Sequence, residues 1–191
     1  APAVRWNRKH CGLPARSRRV APTSDGRRVP LFGTLCALVF LVNFGRVVFA
    51  PLVAPLQDFF VASDASVGLV ATLAWLGSAL PRLPTGYLLT RFARHRIVLG
   101  TGVLLTVASA LMTFAPTIEL VMVGALLVGL ASGVYFVAAS PLVSELFPDR
   151  VGRVIGIHGT ASQLAAAIAP VLVGRLLLVH YTWRAPFYLL S

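Results

Sequence analysis

Five apolar runs, each long enough to cross a bilayer, follow one another along this chain and dictate what it can fold into. A spanning helix needs ~20 mainly apolar residues. Runs of that length lie at about 31–55, 66–89, 97–115, 119–143 and 154–178, and another opens at about 185–191. Membrane β-strands fit these runs poorly, because they read as runs of roughly ten residues with alternating hydrophobicity. Gly and Pro inside the runs are tolerated where neighbouring helices re-satisfy freed backbone groups. Only 12% of the residues are charged, whereas 57% are hydrophobic. A soluble chain of this size has too little interior to hide that much apolar surface. The expected fold is an all-α integral membrane bundle over 31–191, with five complete spans and the start of a sixth. Residues 1–30, basic and rich in Pro, Ser and Gly, are expected to be a disordered cytoplasmic tail.

The formal charge of +11 would suit nucleic acid, but its placement argues against that partner. Eight of the seventeen basic residues precede Pro30, and most others sit in the short gaps between runs. Counted from the N-terminus, the gaps alternate between rich and poor in arginine. Gap 90–96 has three (Arg91, Arg94, Arg96), gap 144–153 has two (Arg150, Arg153), and gaps 56–65 and 116–118 have none. The positive-inside rule then puts the N-terminus in the cytoplasm and the chain in the cell membrane as a multi-pass protein. Arg175 lies near the outer end of the fifth run, where it can snorkel. Cys11 and Cys36 have no metal-ligand or redox spacing, and no metal or cofactor is expected. The first apolar run is followed by others, so it is not a cleaved signal. The chain stops at Ser191 inside an apolar run, which implies an unfinished sixth span.

The polar residues inside the runs are the candidates for function. Arg46 lies near the middle of the first run. An arginine at bilayer centre costs at least ~2.5–3.5 kcal/mol on insertion scales, so it should face the bundle interior, a partner or water. No acidic residue lies deep in any of the runs. Arg46 therefore contacts an anionic solute, pairs with a carboxylate supplied by a missing half, or serves as a hydrogen-bond anchor, and Asn43 shares its helix face. Arg82 sits between Pro81 and Pro84, with Ser78 and Gly86 one turn away on either side. Prolines loosen the local ladder, and the freed carbonyls can accept from Arg82. A structural or gating role fits Arg82 better than solute contact. His158 and Gln163 are the most polar residues of the fifth run. An interhelical hydrogen bond is the plainer reading of His158, and proton coupling the sharper one. Ser132 and Tyr135 offer hydroxyls to a cavity or to packing, and Trp75 offers a cavity wall. Asp58, just beyond the first run, is a solvated charge or an outer latch. Gly129 and Gly133 give the small-xxx-small spacing of close helix contacts. The fifth run adds more small residues, among them Gly156. The third run, bulky and apolar, looks like the most lipid-facing.

Several connections resemble one known family. Gly86-Tyr87-Leu88-Leu89-Thr90-Arg91-Phe92-Ala93-Arg94-His95-Arg96 resembles the Gly-x-x-x-Asp-Arg-x-Gly-Arg-x-Arg loop of the major facilitator superfamily. Gly86, Arg91, Arg94 and Arg96 match, while Thr90 replaces the Asp and Ala93 the second Gly. Gly156, Pro170 and Gly174 resemble that family's glycine-rich fifth-helix signature; Ala165 and Ala169 stand in for glycines and Val173 departs. Glu145 to Arg153 resembles the link between helices four and five, and Trp183-Arg184-x-x-Phe187 the start of helix six. The basic residue expected early in helix four is absent around Val123-Gly124-Ala125.

This resemblance implies the first half of a twelve-span carrier that moves a small solute by alternating access. It also implies a coupling proton or ion, a second six-helix half, and peripheral positions for helices three and six. A cytoplasmic latch is implied as well, with Glu145 pairing to Arg91 or Arg94, and Asp149 to Arg150 or Arg153 locally. Thr90 in place of the acid weakens that latch. The helix-five signature leans toward export or antiport, and Arg46 toward an anionic solute. No phosphate-binding GxxxxGK[ST] loop is present. The four histidines are scattered, and there is no paired-carboxylate pattern, so an enzyme is not expected. The alternative from another class is a non-transporting membrane scaffold or regulatory half-protein.

Overall fold

The computed structural model describes residues 25–180 and 182–191, all of it helix and short connections. The helices are α1 (Asp25–Val47), α2 (Val53–Phe60), α3 (Asp64–Ala79), α4 (Arg82–Arg91), α5 (Arg94–Thr113), α6 (Ile118–Leu146), α7 (Val151–His180) and α8 (Ala185–Leu190). Five stretches are long and apolar enough to span: Arg28–Val47, Asp64–Arg91, Arg94–Thr113, Ile118–Leu146 and Pro148–Arg175. The protein is thus an all-α, multi-pass membrane bundle with five complete spans and a short sixth helix. Most of the expected tail lies outside the described residues. Its last residues differ from expectation, because α1 already runs from Asp25 through Pro30.

The helix of the first apolar run breaks after Val47. Pro51 has no N–H to give the Val47 carbonyl, so the α-helical ladder fails there. Tighter bonds replace it, from Ala50 N–H to Val47 O and from Leu52 N–H to Phe49 O, both 3.2 Å. Beyond the break Val48, Phe49, Leu52 and Leu56 are buried core, and Phe49 packs on Phe187 at 6.0 Å. The second span is broken as its prolines predict, with Leu80 and Pro81 separating α3 from α4. Between α2 and α3 the chain turns through Val61 with a left-handed φ of 49°, a conformation that costs a β-branched residue.

α6 is the central post. It packs on α3, α5 and α1, while α1 also packs on α7, and α8 closes against α5. The contact with α3 is backbone on backbone. A Cβ on Gly129 would strike the Ala74 carbonyl and the Gly77 Cα, and one on Gly133 would strike the Ser78 carbonyl and the Pro81 ring. Gly124 is filled by the Met112 side chain of α5. Within this chain α5 is 39% buried over its apolar window, and the fifth span 28%. Leu105, Ala108 and Met112 of α5 turn inward, while Leu99, Val103 and Val107 face outward.

Candidate functional site

The break after Val47 puts Arg46 in the last turn of α1 rather than in mid-helix. It still lies at mid-depth, because its partner Ser78 is near the middle of the 64–91 span. A cation in the last turn of a helix is favoured by the negative end of the macrodipole. One guanidinium nitrogen (Nη2) donates to Asn43 Oδ1 at 2.7 Å and another (Nη1) reaches Ser78 Oγ at 3.4 Å. Asn43 in turn donates to the Ser162 carbonyl of α7 at 2.6 Å. The guanidinium carbon lies 4.4 Å from the Trp75 ring centroid and 5.8 Å from that of Phe136, within cation–π range of both. Arg82 adds a second positive charge that acts on Arg46. Its own Nε donates to the Ser78 carbonyl at 3.2 Å, a bond to the loosened helix break itself. Arg46 Nε, though buried, has no partner, and among the described residues no carboxylate pairs with Arg46.

A second cluster ties α1, α6 and α7 together. The buried Tyr135 hydroxyl lies 2.8 Å from the Leu35 carbonyl and 2.9 Å from His158 Nε2, and the Tyr135 and His158 rings stack at 5.9 Å. If the hydroxyl gives its proton to Leu35, it accepts from His158. This is an interhelical tie, and it lies away from the bonds that hold Arg46. Ser132 is fully buried and its hydroxyl has no partner. Gln163 points outward with no side-chain bond among the described residues. Gly156 and Pro170 are exposed and Gly174 half-buried, and a Cβ built on Gly156 or Gly174 would touch nothing within 4 Å. That face of α7 is therefore small-sided and open. Asp58 makes no ion pair among the described residues; near it, Gln57 donates to Asp64 at 2.5 Å.

At the arginine-rich end, Arg94 at the head of α5 pairs with Glu145 at the foot of α6. Arg91 instead donates to the Tyr87 hydroxyl at 3.0 Å, with its guanidinium 5.6 Å from that ring. Arg96 and Arg153 are exposed and form no side-chain bond among the described residues, and Gly86 has open space where a Cβ would sit. No ion pair joins Asp149 to Arg150 or Arg153 among the described residues.

The family model described as Major Facilitator Superfamily matches residues 35–191. The chain belongs to that superfamily. It is similar to the multidrug efflux pump LfrA of Mycolicibacterium smegmatis, 31% identical over 154 residues, which is 78% of this chain and 30% of that protein. It is 29% identical to the niacin transporter NiaP of Acinetobacter baylyi over 65% of this chain and 28% of that protein. Against the multidrug resistance protein MdtL of Escherichia coli the identity is 25%, over 68% of this chain and 33% of the relative. The chain thus spans a third or less of the curated relatives it matches.

Within the superfamily's loop pattern, the departure at Thr90 has a visible consequence. Its hydroxyl turns back onto its own helix and donates to the Tyr87 carbonyl at 2.7 Å. The acid that would compete for arginine there is missing, and Glu145 holds the loop through Arg94 instead. Both partners are partly exposed, so the pair is worth ~1 kcal/mol or less. Glu145→Gln is expected to leave the fold intact and raise the accessibility of a cysteine placed at Ala93, read by maleimide labelling. Unchanged labelling would mean that the pair closes nothing.

Sequence reasoning missed the backbone acceptors. Neither the Ser162 nor the Leu35 carbonyl has any side-chain signature, so no reading of residue types finds them. Phe136 was findable, since it sits beside Tyr135 one helical turn from Ser132.

Proposed function

We propose that this chain serves secondary active transport of a small anionic solute by alternating access, with Arg46 as the central anion contact. The observation that carries this reading is a half-buried guanidinium at mid-depth with one unpartnered N–H and no carboxylate paired to it among the described residues. Such a charge is retained at a cost, and a solute carboxylate or phosphate would repay it. Asn43 and Ser78 hold the fork in place, Arg82 adds field, and Trp75 and Phe136 suit a solute with an apolar or aromatic body. Ser132, Tyr135, His158 and Gln163 stay as secondary candidates, with His158 the group best suited to a coupling proton. The relatives' names cover both efflux and a named-solute transporter, so export or antiport rests on the helix-five signature alone. The open face of α7 carrying Gly156, Pro170 and Gly174 suits contact with a second six-helix half, in line with the greater length of the relatives. The alternation of arginine-rich and arginine-poor connections supports a cytoplasmic N-terminus and a cytoplasmic Arg94–Glu145 latch.

The test uses the complete protein in proteoliposomes with an imposed proton gradient, and labelled benzoate and benzamide as an anionic and a neutral probe of one shape. Gradient-dependent movement of benzoate above protein-free vesicles, with benzamide at background, is the expected result. Equal handling of the two probes would sink the anionic reading.

A further inference from the structure

A groove of about 340 Å³ opens on the outer surface of the bundle at its arginine-rich end. Leu88, Phe92, Ile97, Gly100, Leu104 and Val134 line it, from α4, α5 and α6, with Arg96 also lining it. Thr101 also lines the groove, but it is buried and its hydroxyl is spent on the Val98 carbonyl at 2.6 Å, so the floor offers no polar group. Gly100 keeps the groove open, since nothing lies within 4 Å of where its Cβ would be. From Arg96 to Leu104 the groove runs about 12 Å along α5, from the end of the span toward its middle. Its walls belong to membrane-spanning helices, so whatever fills it is apolar along its length.

The charges at the mouth identify the head of that occupant. Of the three arginines in this connection, Arg94 is held by Glu145 and Arg91 lies on Tyr87. Arg96 alone is exposed without a side-chain bond among the described residues. An apolar groove ending at an unpaired arginine complements a molecule with an apolar tail and an anionic head. A second copy related by a two-fold axis fits less well, because it would bring a second arginine cluster close to the first.

We propose that this groove is a phospholipid site, holding one acyl chain of an anionic lipid whose phosphate pairs with Arg96. The site is separate from the Arg46 cluster and would load from the leaflet on the arginine-rich side. Because α4, α5 and α6 all contribute walls, the bound lipid would bridge the broken second span to the Arg94–Glu145 pair.

The test is native mass spectrometry of the protein released from vesicles of equal phosphatidylglycerol and phosphatidylethanolamine. The wild-type chain is expected to retain phosphatidylglycerol about fivefold over phosphatidylethanolamine, as one arginine near an anionic lipid supports. Arg96→Gln should remove that preference while keeping total bound lipid, and Arg153→Gln, another exposed arginine at the same end, should leave it unchanged. Gly100→Leu, whose Cβ enters open space, should lose retained lipid of both kinds; Leu104→Trp is the second filling variant should the first not yield monodisperse protein. Retention of the preference by Arg96→Gln, or of lipid by both filling variants, would overturn the proposal. So would a lipid-free dimer that Gly100→Leu converts to monomer, because it would assign the groove to a second copy.

Discussion

Gly133→Leu is expected to abolish most of the assembled bundle. At Gly129 and Gly133 the α3–α6 contact is made with backbone and a proline ring, which cannot rotate aside. A Cβ at 133 meets the Ser78 carbonyl and the Pro81 ring, and one at 129 meets the Ala74 carbonyl and the Gly77 Cα. Overpacking a well-filled site costs ~1–3 kcal/mol when side chains can shift. Here two backbones would have to separate, which also parts α6 from the broken second span and disturbs Ser78 beside Arg46. The expected result is a loss of monodisperse protein on size-exclusion chromatography and a large fall in melting temperature in detergent. Gly129→Leu should behave alike. Gly100→Ala, on the outer surface of α5, should melt within error of the wild type, because its Cβ meets nothing within 4 Å. Near-normal assembly of Gly133→Leu would mean that α3 and α6 are not held at this distance in solution.

Much of the architecture was legible because lipid permits so few solutions. Run length alone locates five spans, and prolines 81 and 84 announce the break in the second. Hydrophobicity locates the runs, but neither the breaks inside them nor the face that each helix buries. Residues 48–56 continue the first apolar run yet fold as a turn and the start of a short helix, since Pro51 has no N–H to extend the α-helical ladder. The third run is bulky yet packs its broad face on α6. The small residues of α6 and α7 look alike in sequence but stand in opposite situations: Gly129 and Gly133 meet another backbone, whereas Gly156 and Gly174 meet nothing. Spacing marks closeness only when the facing helix is known. The Arg46 cluster was half legible. Asn43 and Ser78 were visible as polar residues at helical spacing, but the carbonyl that orients Asn43 comes from the backbone of α7.

Arg46→Ala is expected to weaken apparent affinity for the anionic probe by about 10–100-fold, the range for losing a charge-assisted hydrogen bond. The fold should survive this change. The substitution removes a costly intramembrane charge, and Asn43 keeps its bond to the Ser162 carbonyl. Protein yield and melting temperature should therefore stay near those of the wild type, which separates a solute contact from a structural anchor. Arg46→Lys should recover only part of the loss, because an ammonium cannot serve Asn43 Oδ1, Ser78 Oγ and a solute with one planar fork. Arg82→Ala should cost far less affinity, as Arg82 Nε is committed to the Ser78 carbonyl of its own helix break. The readout is the benzoate concentration giving half-maximal uptake in proteoliposomes, beside the amount of folded protein. Wild-type uptake by a well-folded Arg46→Ala protein would remove Arg46 from solute recognition. A protein that instead fails to assemble would assign Arg46 to holding α1 against α3, through the bond to Ser78 and the ring of Trp75.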